Sequence, residues 1–221
     1  MTPNSDLPTS DTASLSPAAT APTSLARWYL PVKGVLDVLA ATLGLLVFGP
    51  LMAAVAVAIR VDSPGPVIYR QRRIGQYGRH FVLLKFRTMR VGTPEVASEE
   101  MRDEDRRRYT TRVGAVLRKW TLDELPQLFN VLAGDMSLVG PRPALYNQYD
   151  LIAMRRAAGV DRVRPGMTGL AIVKGGFTLS LEEKVAYDAA YVRRMSLGMD
   201  LRCIVKSLRR VTKAGARGMR R

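Results

Sequence analysis

Residues 33–60 read KGVLDVLAATLGLLVFGPLMAAVAVAIR. Between Lys33 and Arg60 the sole charged side chain is Asp37. The 26 bracketed residues would cross a hydrocarbon layer of ~30 Å as one straight helix. Gly49-Pro50 falls past the middle of the run. An internal proline removes a backbone donor and crowds the preceding turn, so a kink or break is expected there. The 16 residues Gly34–Gly49 make only ~24 Å of helix, and Leu51–Ile59 is shorter, so neither piece spans alone. Arg27 and Lys33 precede the run, and Arg60, Arg70, Arg72, Arg73 and Arg79 follow it. Positive flanks favour the cytoplasmic side. Two topologies therefore stand: a straight span, which exports one flank, and a re-entrant hairpin, which keeps both. A buried core helix is disfavoured because the run is apolar nearly all round. Asp37, four residues from Lys33, is expected in a helix-surface pair at the interface.

The whole chain has 221 residues, enough for one domain and an appended segment. Its 34 Lys and Arg against 19 Asp and Glu give a net charge of +15. That balance points to a polyanionic partner: nucleic acid, anionic lipid or a phosphorylated substrate. One cysteine, Cys203, excludes an internal disulfide framework, and one histidine, His80, excludes a zinc site of His and Cys. Chemistry is left to carboxylates, hydroxyls, Lys and Arg, or a hard metal held by oxygen.

Residues 1–27 are rich in Pro, Ser, Thr and Ala and read as a disordered lead. After the Ser63-Pro64-Gly65-Pro66 turn, Val67–Tyr69 and Phe81–Leu84 are β-prone, with Gly75 and Gly78 between them. A β-hairpin is expected, with Arg70, Arg72 and Arg73 near its turn. Residues 95–108 read as a solvated charged helix or loop. Val113, Val116, Leu117 and Trp120 repeat at helical spacing. Further helices are expected over about 123–132 and over 181–195. The last twenty residues hold eight Lys and Arg and no acid, and Leu201, Ile204, Val205, Leu208 and Val211 share one helical face. Such a segment suits either the surface of an anionic membrane or packing on the core with a frayed tail. The fold class is α+β, mainly helical with a small hairpin or sheet.

Residues 111–143 read TRVGAVLRKWTLDELPQLFNVLAGDMSLVGPRP. Thr121 and Glu124 match a capping box, but Pro126 disfavours that register and moves the start to Asp123. Either way two adjacent carboxylates stand at a helix start. Taken alone they read as capping and dipole complementarity. Arg112, Arg118, Lys119 and Arg142 lie near them in sequence, and Pro141 and Pro143 restrict the backbone of Arg142. Such a guanidinium suits bidentate phosphate recognition. Carboxylates among arginines suit phosphoryl chemistry, either by direct attack on phosphorus or by holding Mg²⁺ against phosphate oxygens. No GxxxxGK[ST] loop is present.

Taken together, these motifs resemble the bacterial sugar transferase family, the monotopic polyprenyl-phosphate phosphoglycosyl transferases. The marks are the apolar helix with Gly49-Pro50, Gly65–Gln71, Lys85–Met89, Leu122–Leu128, Gly134–Pro143 and Arg164–Gly169, in that order. The resemblance implies transfer of a sugar 1-phosphate from a UDP-sugar to a polyprenol phosphate, releasing UMP. Asp123 and Glu124 match the catalytic pair, with Asp123 as nucleophile and as ligand of Mg²⁺ (Mn²⁺ being the other candidate). Lys85, Arg118, Arg142 and Arg164 match basic positions, and Arg112 is added as a phosphate-binding candidate. The implied organisation is a re-entrant membrane helix over 28–60, a catalytic domain over 61–200 and a basic amphipathic segment over 201–221. The implied place is the bacterial inner membrane, cytoplasmic face; the basic C-terminal segment adds anionic lipids as a partner, and the sequence leaves open whether the chain forms a homo-oligomer. Nucleic acid is not expected. A non-catalytic membrane scaffold and a nucleic-acid-binding module are the competing readings. The chain departs from the family pattern at Gly176, where an arginine is usual; Lys174 could supply the charge.

Overall fold

In the computed structural model, residues 24–94 and 101–217 are described. The proline-rich lead up to residue 23 and residues 95–100 of the charged stretch lie outside them. Helix α1 runs Ser24–Asp62, beginning a few residues earlier than the sequence suggests. Strands β1 (Ile68–Ile74) and β2 (His80–Phe86) form the expected antiparallel hairpin, with Ile68 opposite Phe86 and Ile74 opposite His80. Helices α2 (Asp103–Tyr109), α3 (Arg112–Lys119) and α4 (Gln127–Leu132) follow. Strand β3 (Ser137–Val139) pairs in parallel with β4 (Gly166–Thr168) across helix α5 (Tyr149–Ala157). Helices α6 (Leu170–Lys174), α7 (Leu181–Arg194) and α8 (Leu197–Arg217) complete the chain.

The helix α1 is docked lengthwise on the rest of the molecule by one narrow stripe. Lys33, Asp37, Ala41, Val55 and Ile59 are buried and recur at helical spacing. Ala41 and Leu45 pack with Leu128 and Val131 of α4, while Val55 and Ile59 pack with Phe86 and Leu117. A Cβ on Gly44 would stand 3.1 Å from Leu128, so α1 and α4 touch closely there. The other faces of α1 stay apolar and exposed, from Trp28 (80% exposed) through Leu39, Leu43, Leu46 and Val47 to Val61 (83% exposed). So large an uncovered apolar surface marks contact with lipid or a partner, and on this helix it fits a monotopic membrane anchor.

Two expectations for α1 change. The Gly49-Pro50 step is accommodated inside one helix rather than separating two. Packing on both sides of Pro50 holds the halves against the same body, which offsets a proline cost of about 3 kcal/mol. Asp37 does pair with Lys33, but inside the protein and not at a surface. Both are buried; the Asp37 Oδ1 accepts the Leu138 N–H at 3.1 Å and lies 3.7 Å from Lys33 Nζ. Lys33 Nζ donates at 2.5 Å to Asp200 in α8, which also accepts the Tyr29 and Tyr191 hydroxyls. Those partners lie far along the chain, beyond the reach of a local periodicity.

Both ends of α1 are therefore held by one globular body. Near the start is the Lys33–Asp200 pair, and at the end Asp62 accepts the Val113 N–H at 3.0 Å. A helix that crossed a bilayer would put one of these contacts on the wrong side. Cysteines introduced as Trp28→Cys and Val61→Cys are expected to react with a membrane-impermeant maleimide from the same side of the membrane, with the buried Cys203 silent. Labelling from opposite sides would contradict this docking.

Candidate functional site

The Asp123-Glu124 pair lies in a short 3-10 turn, Leu122–Glu124, between α3 and α4. Thr121 enters it in the left-handed region at φ 56° and makes no side-chain cap. The capping box that Pro126 disfavours is indeed absent, and the helix begins at Gln127, four residues later than the expected Asp123, with Pro126 at its cap. The reason is that Glu124 has stronger partners than a backbone N–H. Its Oε1 accepts from Lys85 Nζ at 3.0 Å and from Arg142 Nη2 at 2.7 Å. Burial alone would raise the Glu124 pKa. Arg142 and then Lys85 more than offset it and hold the carboxyl far below the usual range.

Each partner is aimed by its own element. Lys85 stands on β2, and Asn130 of α4 ties that strand to the turn. Asn130 Oδ1 accepts the Leu84 N–H at 3.0 Å, and its Nδ2 donates to the Val82 carbonyl at 2.8 Å. Arg118 on α3 donates Nε to Thr88 Oγ1 at 3.0 Å. Helix α3 comes this close because Gly114 has no Cβ; one would stand 2.1 Å from the Thr88 carbonyl oxygen. Arg142 is set by a crossing of glycines. A Cβ on Gly166 would meet the Gly140 nitrogen at 2.0 Å, and one on Gly169 the Gly140 oxygen at 2.1 Å. The loop is then clamped by two further arginines. Arg155 Nη1 donates to the Arg142 carbonyl at 2.6 Å, and Arg73 Nη1 to the Pro143 carbonyl at 2.9 Å. Arg155 itself is fixed by the buried Asp188 of α7, through Nη2 at 2.6 Å and Nε at 3.0 Å.

Asp123 differs from its neighbour. Among the described residues it makes no direct ion pair; Lys85 and Arg118 act on it at longer range. Burial raises its pKa, more than those cations lower it, and Glu124 pushes the same way as burial. The carboxyl lines a cavity of about 1260 Å³ together with Glu124, Lys85, Arg118 and Arg142. Asp123 and Glu124 are the cavity's two carboxylates among the described residues, against ten Lys and Arg. Such a wall suits a ligand with several phosphate charges.

Three positions expected here lie elsewhere. Arg112 is exposed on the first turn of α3 and does not line the cavity. Arg164 is exposed beside Gly134, because its segment is spent on the backbone crossing at Gly140. Lys174 sits over the Tyr187 ring at 5.8 Å, also outside the cavity. Conversely, Arg155, Asp188 and Asn130 escaped the sequence reading. Arg155 follows Met154 in an ordinary-looking helix, and Asp188 lies 33 residues further on.

The model of the bacterial sugar transferase family matches residues 28–214. The UDP-glucose:undecaprenyl-phosphate glucose-1-phosphate transferase of Caulobacter vibrioides is 44% identical over 185 residues, covering 80% of this chain and 68% of the relative. The exopolysaccharide production protein ExoY of Rhizobium meliloti is 41% identical over 187 residues, 78% of this chain and 81% of that one. The UDP-N-acetylgalactosamine-undecaprenyl-phosphate N-acetylgalactosaminephosphotransferase of Aeromonas hydrophila is 40% identical over 195 residues. That match covers 86% of this chain but 46% of the relative, so the chain spans about half its length.

The raised pKa of Asp123 makes a stability prediction. In the folded chain this carboxyl holds its proton more readily than in the unfolded chain. Its contribution to stability is present at low pH and is lost as pH rises through the folded-state pKa. Above the ordinary aspartate pKa the burial of this carboxyl is therefore a cost, and Asp123→Asn is expected to raise Tm in metal-free buffer at neutral pH. An unchanged or lower Tm would contradict the balance of burial over charge. Arg155→Met, which strands the buried Asp188, is expected to cost about 3–5 kcal/mol in denaturant titration; a loss below about 1 kcal/mol would show that the pair is dispensable.

Proposed function

Because the chain belongs to the bacterial sugar transferase family, we propose that it transfers a sugar 1-phosphate from a UDP-sugar to a polyprenol phosphate. The products are a polyprenyl-diphosphate-sugar and UMP. The observation that carries this reading is the division of labour in one basic cavity: Glu124 engages the cations directly, and Asp123 does not.

In the first step a carboxylate oxygen of Asp123 forms a bond to the β-phosphorus of the donor. The bond from that phosphorus to the bridging oxygen breaks, and its electron pair leaves on UMP. In the second step a phosphate oxygen of the polyprenol phosphate bonds to the same phosphorus. The acyl-phosphate bond breaks, and its pair returns to the Asp123 carboxylate. Glu124 is too weak a base, at its lowered pKa, to accept a proton in either step. It orients Lys85 and Arg142, whose charges stabilise those gathering on the transferring phosphoryl group.

The donor set also suits Mg²⁺, which binds through one or two carboxylates plus substrate phosphates. Asp123 would hold it, since the described residues contain no cluster of three or more His, Cys, Asp or Glu and the Glu124 Oε1 is bound by two cations. When bound, the metal supplies Lewis-acid polarisation of phosphate oxygens.

The exposed apolar face of α1 supports a membrane seat, where a polyprenol substrate resides. We place that seat in the bacterial inner membrane with the cavity on the cytoplasmic side, consistent with the positive residues on both flanks of α1. Assembly of an exopolysaccharide is the process that fits, as the name of the Rhizobium relative suggests.

A screen of UDP-sugars with undecaprenyl phosphate and Mg²⁺, read by UMP release, tests the reaction. Turnover is expected with at least one donor. Asp123→Asn should lose ~10³-fold or more, as expected when a nucleophile is removed. Wild-type turnover that survives in Asp123→Asn would remove this residue from the chemistry.

A further inference from the structure

Helix α8 has two faces with different surroundings. Leu197, Leu201, Val205 and Leu208 recur every three or four residues and are exposed. Arg202, Lys206 and Arg209 are exposed beside them, and no acid follows Asp200. An uncovered apolar stripe with basic borders complements an anionic bilayer surface. The start of α8 is fixed to the membrane-anchor helix α1 by the buried Lys33–Asp200 pair and the Tyr29 hydroxyl. The two apolar surfaces therefore belong to one rigid seat.

A different side of α8 closes the catalytic cavity. Ser207, Arg210 and Val211 line it, and the Ser207 hydroxyl meets that of Thr168. Arg210 donates Nη1 to the Ile172 carbonyl and stands over the Gly175-Gly176 turn; a Cβ on Gly176 would lie 3.8 Å from that nitrogen. A backbone carbonyl is a neutral acceptor, so it orients the guanidinium without cancelling its charge. Three other cations of the cavity are committed to carboxylates, Lys85 and Arg142 to Glu124 and Arg155 to Asp188; Arg118 keeps a neutral acceptor in Thr88 but stands on α3, not on the α8 rim.

We propose that Arg210 binds the phosphate of the lipid-borne acceptor, which enters the cavity over the α8 rim. This deepens the proposed function and rests on it for the identity of the acceptor. A prenyl chain stays in the bilayer, so its phosphate can reach no further than the headgroup layer. The cavity wall built on the helix that faces this layer is α8. The soluble donor has no such constraint.

The test is calorimetric titration of a short-chain polyprenyl phosphate, carried in phosphatidylglycerol vesicles, into the full-length protein seated in the same vesicles. Arg210→Ala is expected to bind it about tenfold or more weakly, the loss of one charge-assisted phosphate contact. UDP-glucose binding should be unchanged, and so should sedimentation with vesicles free of acceptor. Unchanged affinity for the polyprenyl phosphate would overturn the proposal. So would a loss confined to the UDP-sugar, which would assign Arg210 to the donor, or a loss of sedimentation, which would make it a surface charge. A wild-type chain that binds the lipid phosphate but releases no UMP would sink the proposed reaction and leave this subsite standing.

Discussion

The structure turns on one buried carboxylate oxygen. Glu124 Oε1 takes Lys85 from β2 and Arg142 from the loop after β3, so one atom joins three stretches of chain at the cavity wall. A buried carboxylate is tolerated only when it is paired and hydrogen-bonded. Here that requirement fixes where two cations stand. Because Glu124 engages them, Asp123 lines the cavity without a direct ion pair, yet within their field. On the proposed reading Asp123 is the nucleophile, and a carboxylate in that position is held back by burial and not quenched by contact. The cost is borne by the rest of the fold, as it commonly is where a site is built for reactivity and not for stability.

The same constraint reaches outward through backbone contacts. Arg142 serves only if its loop is rigid, and rigidity comes from the glycine crossing at Gly140, Gly166 and Gly169 and from the clamps of Arg73 and Arg155. Asp188 is buried to hold Arg155, and burial pushes its pKa up despite that partner. Membrane seating is tied to the same frame. Lys33 and Asp37 couple α1 to α8 and to β3, the strand that runs into the Arg142 loop. The lipid-facing surface and the cavity thus share their supports.

Much of this was legible from local pattern. The apolar run of α1, the hairpin, and helices α3, α7 and α8 follow from periodicities of 2 or 3.6 that any short window displays. The Asp123-Glu124 pair stood out because adjacent acids among arginines are chemically unusual. What pattern could not show is partnership over distance. The Asp37–Lys33 pair four residues apart was legible, but not its burial or the closer hold of Asp200 on Lys33 from 167 residues away. Thr121 and Glu124 matched a cap, but two cations brought in by other elements claimed the glutamate. Arg164 looked like Arg142 because both stand next to a proline. Only the crossing at Gly140 separates them: one motif supplies a guanidinium to the cavity and the other supplies backbone. Arg155 and Asp188 carried no local signal, since each sits unremarkably on its own helix.

The central claim is that Asp123 carries the sugar phosphate between donor and acceptor. Intact-mass spectrometry of the protein, quenched after exposure to an active UDP-sugar without acceptor, tests it most directly. The expected result is a species heavier by one sugar phosphate, mapped to Asp123, which disappears when polyprenol phosphate is added. A protein whose mass never changes while UMP and product accumulate would show direct transfer between substrates and contradict the account.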